Sequence, residues 1–383
     1  MVKVLGHRTL YRDPRFHAAF PSVIRFDDGR LLLAFRRARD VLWLVPPERR
    51  GEIDPFGRMD HIDSRSHILL MELGPDGMPL DAEPDMLPMD PEAGDQDPSL
   101  LLLPDDRVLL ASFSWYPLPV DHAGLLEGRS APGDPGPGPR YLFWGSHTAL
   151  RGRSASSWLR HHDYLVPDGG FGRALSPCGS KSAVSPVRGQ PLVWGEEVLL
   201  PVYGTATQGC ALFASPDQGR EWRFRGLIAC DPDAVIAYQE PALCPDGQGG
   251  MICFMRTAGA GGRLATSRSE DGVHWSAPRL HRLRGEPFHP LALDDGRLLL
   301  SYGYRAEPYG IRARLMDSPL DDPDEAPEII VRDDGLCGDL GYPWAVQQAD
   351  GHVLLTYYWT DTEGVRLIVG SSLALDATQR EAA

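Results

Sequence analysis

Six prolines, at positions 21, 98, 186, 241, 290 and 343, open six similar phrases, and the residues before them are Phe20, Asp97, Ser185, Glu240, His289 and Tyr342. Four of these six side chains titrate, which a purely structural repeat does not require. Arginines recur later in the same phrases: Arg36 with Arg37, Arg256, and Arg305 directly after Tyr304. An acid, a base, a phenol and guanidinium groups gathered at one mouth of a shared channel would bind an anion and move protons. The histidines show no H-E-x-x-H spacing, so neither a metal nor any other cofactor is expected.

The phrase itself must position these residues. Each copy runs proline, short apolar run, Asp-Gly-like turn, second apolar run. Examples are Pro21 to Arg36 around Asp28-Gly29, and Pro343 to Leu355 around Asp350-Gly351. Asp-Gly between apolar runs is a strong hairpin signal. A proline cannot donate to a strand ladder, which assigns it to strand starts and edges. Successive prolines are 77, 88, 55, 49 and 53 residues apart, and spacings near 50 suit four-stranded propeller blades. The expected fold is all-β, a six-bladed β-propeller of four-stranded antiparallel blades, spanning 1–383 as a single domain. The two longer gaps then need inserted loops, near 41–62 and 117–180. Closing the ring removes the exposed edges that an open sheet would carry.

Composition agrees. Among 383 residues, 41 are Gly and 35 are Pro, while 42% are hydrophobic and 24% charged, so the excess of turn formers reflects many short elements rather than disorder. The net charge of −15 argues against nucleic-acid or anionic-membrane partners. No apolar run at the N-terminus resembles a signal peptide and none elsewhere approaches a membrane span, so a cytoplasmic location is expected. The six cysteines are scattered without a C-x-x-C, which reads as free buried thiols. Oligomeric state is not legible.

Two further segments, Ser215-Pro-Asp217-Gln-Gly219-Arg-Glu-Trp222 and the shorter Ser269-Glu-Asp271-Gly272-Val-His-Trp275, share an S-x-D-x-G-x-x-W pattern. The aspartate accepts turn hydrogen bonds, the glycine supplies a positive φ and the tryptophan packs back on the hairpin. With these segments the chain resembles the sialidase superfamily, whose six-bladed propellers carry such Asp boxes. The resemblance covers nearly the whole chain in layout and is strongest over 210–360. There Glu240-Pro241 with Asp246-Gly247 and Arg256 resembles the family's glutamate-to-arginine segment. Gly341-Tyr342-Pro343 resembles the segment holding its nucleophilic tyrosine, and Arg312 stands where its last carboxylate-binding arginine falls.

The resemblance implies an exo-glycosidase acting on a terminal anionic sugar. Tyr342 would attack the anomeric carbon, because a carboxylate nucleophile would repel an anionic substrate. Glu240 would take the phenol's proton. A separate acid must protonate the leaving oxygen, and the family's loop after the first hairpin points to Asp63, with Asp97 the second choice. Arg36, Arg37, Arg256, Arg305, Arg312 and His289 are the expected substrate-binding residues. The pattern breaks at one place. Where sialidases have Arg-Ile-Pro, this chain has Ala19-Phe20-Pro21, so the first carboxylate-binding arginine is missing unless Arg36 or Arg37 replaces it. Two other readings stay open: an inverting glycosidase or polysaccharide lyase on a uronate-type sugar, with Asp97, Glu240 or His289 as base, and a non-catalytic carbohydrate-binding propeller.

Overall fold

Each of the six phrases folds into an antiparallel hairpin, and each hairpin forms the inner half of a blade. The computed structural model describes residues 2–40, 44–57, 65–87, 94–118, 140–152, 159–161, 186–204, 209–233 and 235–376, without side chains at 115–118, 140–149 and 159–161. Asp63, the turn region 131–139 and most of the expected 117–180 insertion therefore lie outside the described residues.

Strand β1 (Val2–Tyr11) is set aside for the last blade. Blade 1 contains β2 (Phe16–Arg25), β3 (Leu31–Arg39), β4 (His67–Leu73) and β5 (Asp85–Met86). In blade 2, β6 (Gly94–Asp95) and β7 (Ser99–Leu102) both pair with β8 (Arg107–Leu118), followed by β9 (Arg140–Gly152) and β10 (Leu159–His161). Blade 3 contains β11 (Leu192–Trp194), β12 (Glu197–Gly204), β13 (Gly209–Ser215) and β14 (Arg223–Ala229). Blade 4 has β15 (Ala237–Pro245), β16 (Met251–Ala258), β17 (Arg263–Ser269) and β18 (Arg279–Arg284). Blade 5 has β19 (Phe288–Ala292), β20 (Leu298–Tyr304), β21 (Gly310–Met316) and β22 (Glu328–Arg332). Blade 6 has β23 (Gly341–Gln347), β24 (Val353–Thr360) and β25 (Arg366–Leu375), and β1 completes it as the outermost strand. The chain thus closes its ring by pairing Val2 with Leu375 and Tyr11 with Ile368.

The core lies between blades. Ile24, Leu32, Ile68, Leu100 and Leu110 pack blade 1 on blade 2, while Leu199, Leu212, Leu243 and Met255 pack blade 3 on blade 4. Leu299, Ile311, Leu355 and Val369 do the same for blades 5 and 6. Both faces of each sheet are covered, so second strands such as Leu31-Leu32-Leu33 are buried at every position instead of alternating.

The S-x-D-x-G-x-x-W segments sit between third and fourth strands. Asp217 Oδ1 accepts from the amides of Arg220 (3.1 Å) and Glu221 (2.8 Å), and Asp271 Oδ1 from Val273 and His274 (both 2.8 Å). Cys210, Cys244 and Cys253 are buried free thiols, and burial pushes the Cys244 thiol up to about 12. Cys230 is disulfide-bonded, which corrects the expectation of free thiols at that position.

Candidate active site

The prolines do more than open strands. Pro21, Pro241 and Pro290 lie inside β2, β15 and β19, on innermost strands whose channel edge has no partner among the described residues, so a missing N–H breaks no ladder. In blades 1, 4 and 6 the register slips at the X-Pro pair: between Ala19 and Ser22, between Gln239 and Ala242, and between Gly341 and Trp344. At each bulge the residue before proline is left-handed, with φ of 57° at Phe20, 51° at Glu240 and 52° at Tyr342. Residues preceding proline favour extended backbone, so each bulge carries strain of about 1–3 kcal/mol. Strain repeated three times around one channel is the sort that accompanies function.

These bulges bring Tyr342 and Glu240 together from 102 residues apart, with the phenol donating to Glu240 Oε1. Both are deeply buried, at 8% and 3% exposure. Arg256 Nη1 lies 3.2 Å from Glu240 Oε2, and its Nη2 3.1 Å from Glu286 Oε2. Glu286 also faces Arg305 Nη1 at 3.4 Å. Arg305 donates to the Leu340 carbonyl (3.0 Å) and the Tyr358 hydroxyl (3.0 Å), and its guanidinium stands 5.4 Å from the Tyr342 ring centroid. Arg256, Glu286 and Arg305 keep partial exposure, so they form a rim above the buried pair. Burial lifts the Tyr342 phenol well above its ordinary range; Glu240 and Asp97 add to this while Arg256 and Arg305 oppose it. Burial also works against the Arg256 charge, but Glu240, Tyr342 and Glu286 outweigh it and keep the guanidinium protonated.

Asp97 occupies the break between β6 and β7 and is 4% exposed. Burial raises its carboxyl to about 7; Arg188 lowers it, Glu240 raises it and Arg36 lowers it. Arg36 is fully buried, with its guanidinium 5.8 Å from the Phe20 ring centroid. Phe20 in turn packs on Tyr342, their ring centroids 4.6 Å apart. Tyr203, at the end of β12, feels Glu240, Tyr342 and Asp97, and burial raises its phenol strongly. Of the residues expected from sequence, the structure therefore groups Tyr342, Glu240, Asp97, Arg36, Arg256 and Arg305.

Three others are held elsewhere. Arg37 bonds His67 Nε2 (2.9 Å) and the Tyr11 hydroxyl (3.0 Å) and lies 4.0 Å from the Phe16 ring centroid, toward the outer strands of blades 1 and 6. Arg312 is buried in blade 5, donating to the carbonyls of Arg332 (2.7 Å) and Pro308 (3.1 Å). With its Nε also 3.7 Å from Glu328 Oε2, the guanidinium is engaged within blade 5, so the carboxylate-clamp expectation does not transfer to it. His289 stacks on Trp344 at 4.8 Å and faces the Ala345 carbonyl at 3.3 Å. Burial lowers it to about 3, so it is a neutral packed ring rather than a substrate ligand or base. The sequence reading missed Arg188, Tyr203 and Glu286. Arg188 did carry a signal. Two residues after the proline the six phrases read Val23, Leu100, Arg188, Leu243, Ala292 and Ala345, and only one of these is charged.

One group among the described residues has metal-ligand geometry: His281, Asp322 and Asp324, with one donor atom each within 4.8 Å of the others. Arg279 already engages Asp322, and the amides of Arg282 (2.8 Å) and Leu283 (2.9 Å) engage Asp324. We read it as an ion-paired clamp between blades 4 and 5.

A ring of six blades with a buried phenol–carboxylate pair under an arginine rim defines a sialidase-like propeller. Residues 170–355 match the BNR repeat-like domain. A crystal structure of a Dyadobacter fermentans protein of unknown function is 33% identical, covering 98% of this chain and 99% of that one with a TM-score of 0.82. The chain belongs to the same family as that protein, and its fold is that of the sialidase-like, BNR-repeat propellers. The NanB sialidase of Streptococcus pneumoniae shares the fold at 11% identity and TM-score 0.64, over 95% of this chain and 70% of that one. Trypanosoma rangeli sialidase does so at 13% and 0.58, over 93% and 54%. No curated protein matches in sequence.

Proposed function

We propose that this protein is an exo-acting glycoside hydrolase that removes a terminal anionic sugar, sialic acid or a related acid, with retention of configuration. The supporting observation is the Tyr342 hydroxyl donating to Glu240 beneath Arg256 and Arg305. In the first step the Tyr342 oxygen bonds to the anomeric carbon, its proton passes to Glu240, and the glycosidic bond breaks. The leaving oxygen takes a proton from an aspartic acid. Asp63 keeps this role from the family resemblance. Asp97 is the candidate within the described residues, and a carboxyl near 7 suits proton donation at neutral pH. Water, deprotonated by the same aspartate, then displaces Tyr342, which recovers its proton from Glu240. The partner is thus a carbohydrate, and no step calls for a cofactor.

The sugar's acid group would meet Arg256 and Arg305. Arg36 lies beneath Phe20, at the phrase where the first arginine is missing, so the pocket offers fewer exposed guanidiniums than a three-arginine clamp. This favours a monoanionic sugar. Turnover of aryl glycosides of sialic and related nonulosonic or uronic acids tests the reading. Tyr342→Phe is expected to lose at least about a thousandfold in kcat, and a 3-fluoroglycosyl fluoride should leave a covalent adduct on Tyr342. Undiminished turnover by the Phe variant removes the tyrosine mechanism.

A further inference from the structure

Arg188 is 3% exposed and lies on the inner edge of blade 3, beside the bridge between Val187 and Val202. Its Nη2 donates to the carbonyl of Tyr342 at 2.9 Å and its Nη1 to that of Pro21 at 3.2 Å. A single side chain from blade 3 therefore reaches the strained bulges of blades 6 and 1. The next residue meets the third bulge. A Cβ on Gly189 would fall 1.9 Å from the Pro241 carbonyl oxygen, so the backbone here lies directly on Glu240-Pro241. Ser99 Oγ, from blade 2, donates to the Arg188 carbonyl at 2.9 Å. The Arg188-Gly189 dipeptide thus touches all three left-handed X-Pro turns.

Its charge is placed as pointedly as its hydrogen bonds. The guanidinium lies 5.0 Å from the Tyr342 ring centroid and 5.2 Å from that of Trp344. Arg256 and Arg305 both contact carboxylates, whereas Arg188 has only carbonyl oxygens as hydrogen-bond acceptors and no carboxylate in ion-pair contact among the described residues. The charged and titratable groups it feels are Asp97, Tyr342, Glu240, Tyr203 and His289. Tyr342 itself faces Glu240 and Asp97 on the acidic side, and Arg256 and Arg305 on the basic side.

We propose that Arg188 is a positioning residue for Tyr342, holding the backbone of its bulge and setting a permanent positive charge beneath its ring. The proposal rests on the reading of Tyr342 as nucleophile. When the phenol's proton passes to Glu240, the oxygen acquires negative charge, and a cation already fixed in a dry site stabilises it without reorganisation. A blade-3 arginine would thereby supply some of the positive charge that blade 1 lacks at Ala19-Phe20.

The test measures residue 342 directly and needs no substrate, so it fails or succeeds apart from the glycosidase reading. With 2,3,5-trifluorotyrosine placed at 342, whose electron-withdrawing fluorines bring the phenol down into an accessible pH range, its ionisation is followed by fluorine NMR in the otherwise wild-type chain and in Arg188→Gln, Arg188→Lys and Arg37→Met. Arg188→Gln keeps a donor but loses the charge, and should weaken proton release by about tenfold or more. Arg188→Lys keeps the charge and should stay within about half a unit of wild type, as should the distant Arg37→Met. A folded Gln variant with an unchanged value overturns the proposal, as does a Lys variant shifted as far as the Gln one. If the Gln variant fails to fold, Arg188→Lys carries the test, and a rise of about one unit overturns the charge assignment.

Discussion

Asp97 and His289 each precede a proline and are each fully buried, yet burial moves them in opposite directions: the carboxyl up to about 7, the imidazole down to about 3. Their effects on stability have opposite signs. The ordinary value for the aspartate is 3.8, so between about pH 4 and 7 the folded chain holds a proton that the unfolded chain has lost. Stability therefore falls as pH rises through that window, by the order of a few kcal/mol, and is flat above it. For His289, ordinarily 6.5, the unfolded chain holds the extra proton between about pH 3 and 6.5, so stability rises with pH there. In the wild type the two slopes offset each other. Melting temperatures from pH 4 to 8 should separate them. Asp97→Asn should climb more steeply than wild type up to about pH 6.5 and exceed it at pH 8, whereas His289→Gln should decline with pH. Three parallel curves would refute both assignments. Arginines divide in a similar way. Arg256 and Arg305 lie beside the Tyr342–Glu240 pair, while Arg312, which the family layout favoured, is engaged by the carbonyls of Arg332 and Pro308 and faces Glu328.

At the scale of strands, the hairpins were legible because Asp-Gly turns and apolar runs are local signals. Gly29 and Gly296 adopt φ of 85° and 91° in their turns, and Gly29, Gly296 and Gly351 each close a 3.0 or 2.9 Å backbone bond. The bulges were not legible. A proline announces an interrupted ladder, but whether the register slips by one residue there depends on what presses on the strand from the neighbouring blade. Gly189 is such a place. Its Cβ would meet the Pro241 carbonyl oxygen at 1.9 Å and the Ala242 Cα at 2.8 Å, both backbone atoms that no rotamer change can move. Gly189→Ala must push the inner strands of blades 3 and 4 apart, and should lower stability by about 3 kcal/mol or more in urea titration. Gly195→Ala, at φ 60° with no described residue within 4 Å of its Cβ, should cost only about 1–2 kcal/mol of backbone strain. Equal losses at the two positions would refute the close-packing account.

For the whole molecule, the acidic balance has a local exception. A chain of net charge −15 gathers Arg36, Arg188, Arg256 and Arg305 around one channel, a cationic socket suited to a small anion. The closure of the ring around that socket could not be read from the sequence, because β1 pairs across almost the full chain and carries no proline phrase. Its register nonetheless sets a test. Val2 pairs with Leu375, so the ends of β1 and β25 lie side by side, and Leu10 and Tyr11 contribute to the core between blades 6 and 1. Deleting residues 2–11 removes that packing and leaves β25 as an open edge, which invites association. The truncated protein should melt at least about 10 °C lower and elute as concentration-dependent oligomers in size-exclusion chromatography. Moving the same ten residues behind Asp376 through a short turn recreates the antiparallel pair as an ordinary hairpin, and should restore both melting temperature and elution. If relocation fails while the original N-terminal strand succeeds, closure depends on chain order rather than on the pairing itself, and the account of how this ring is sealed is wrong.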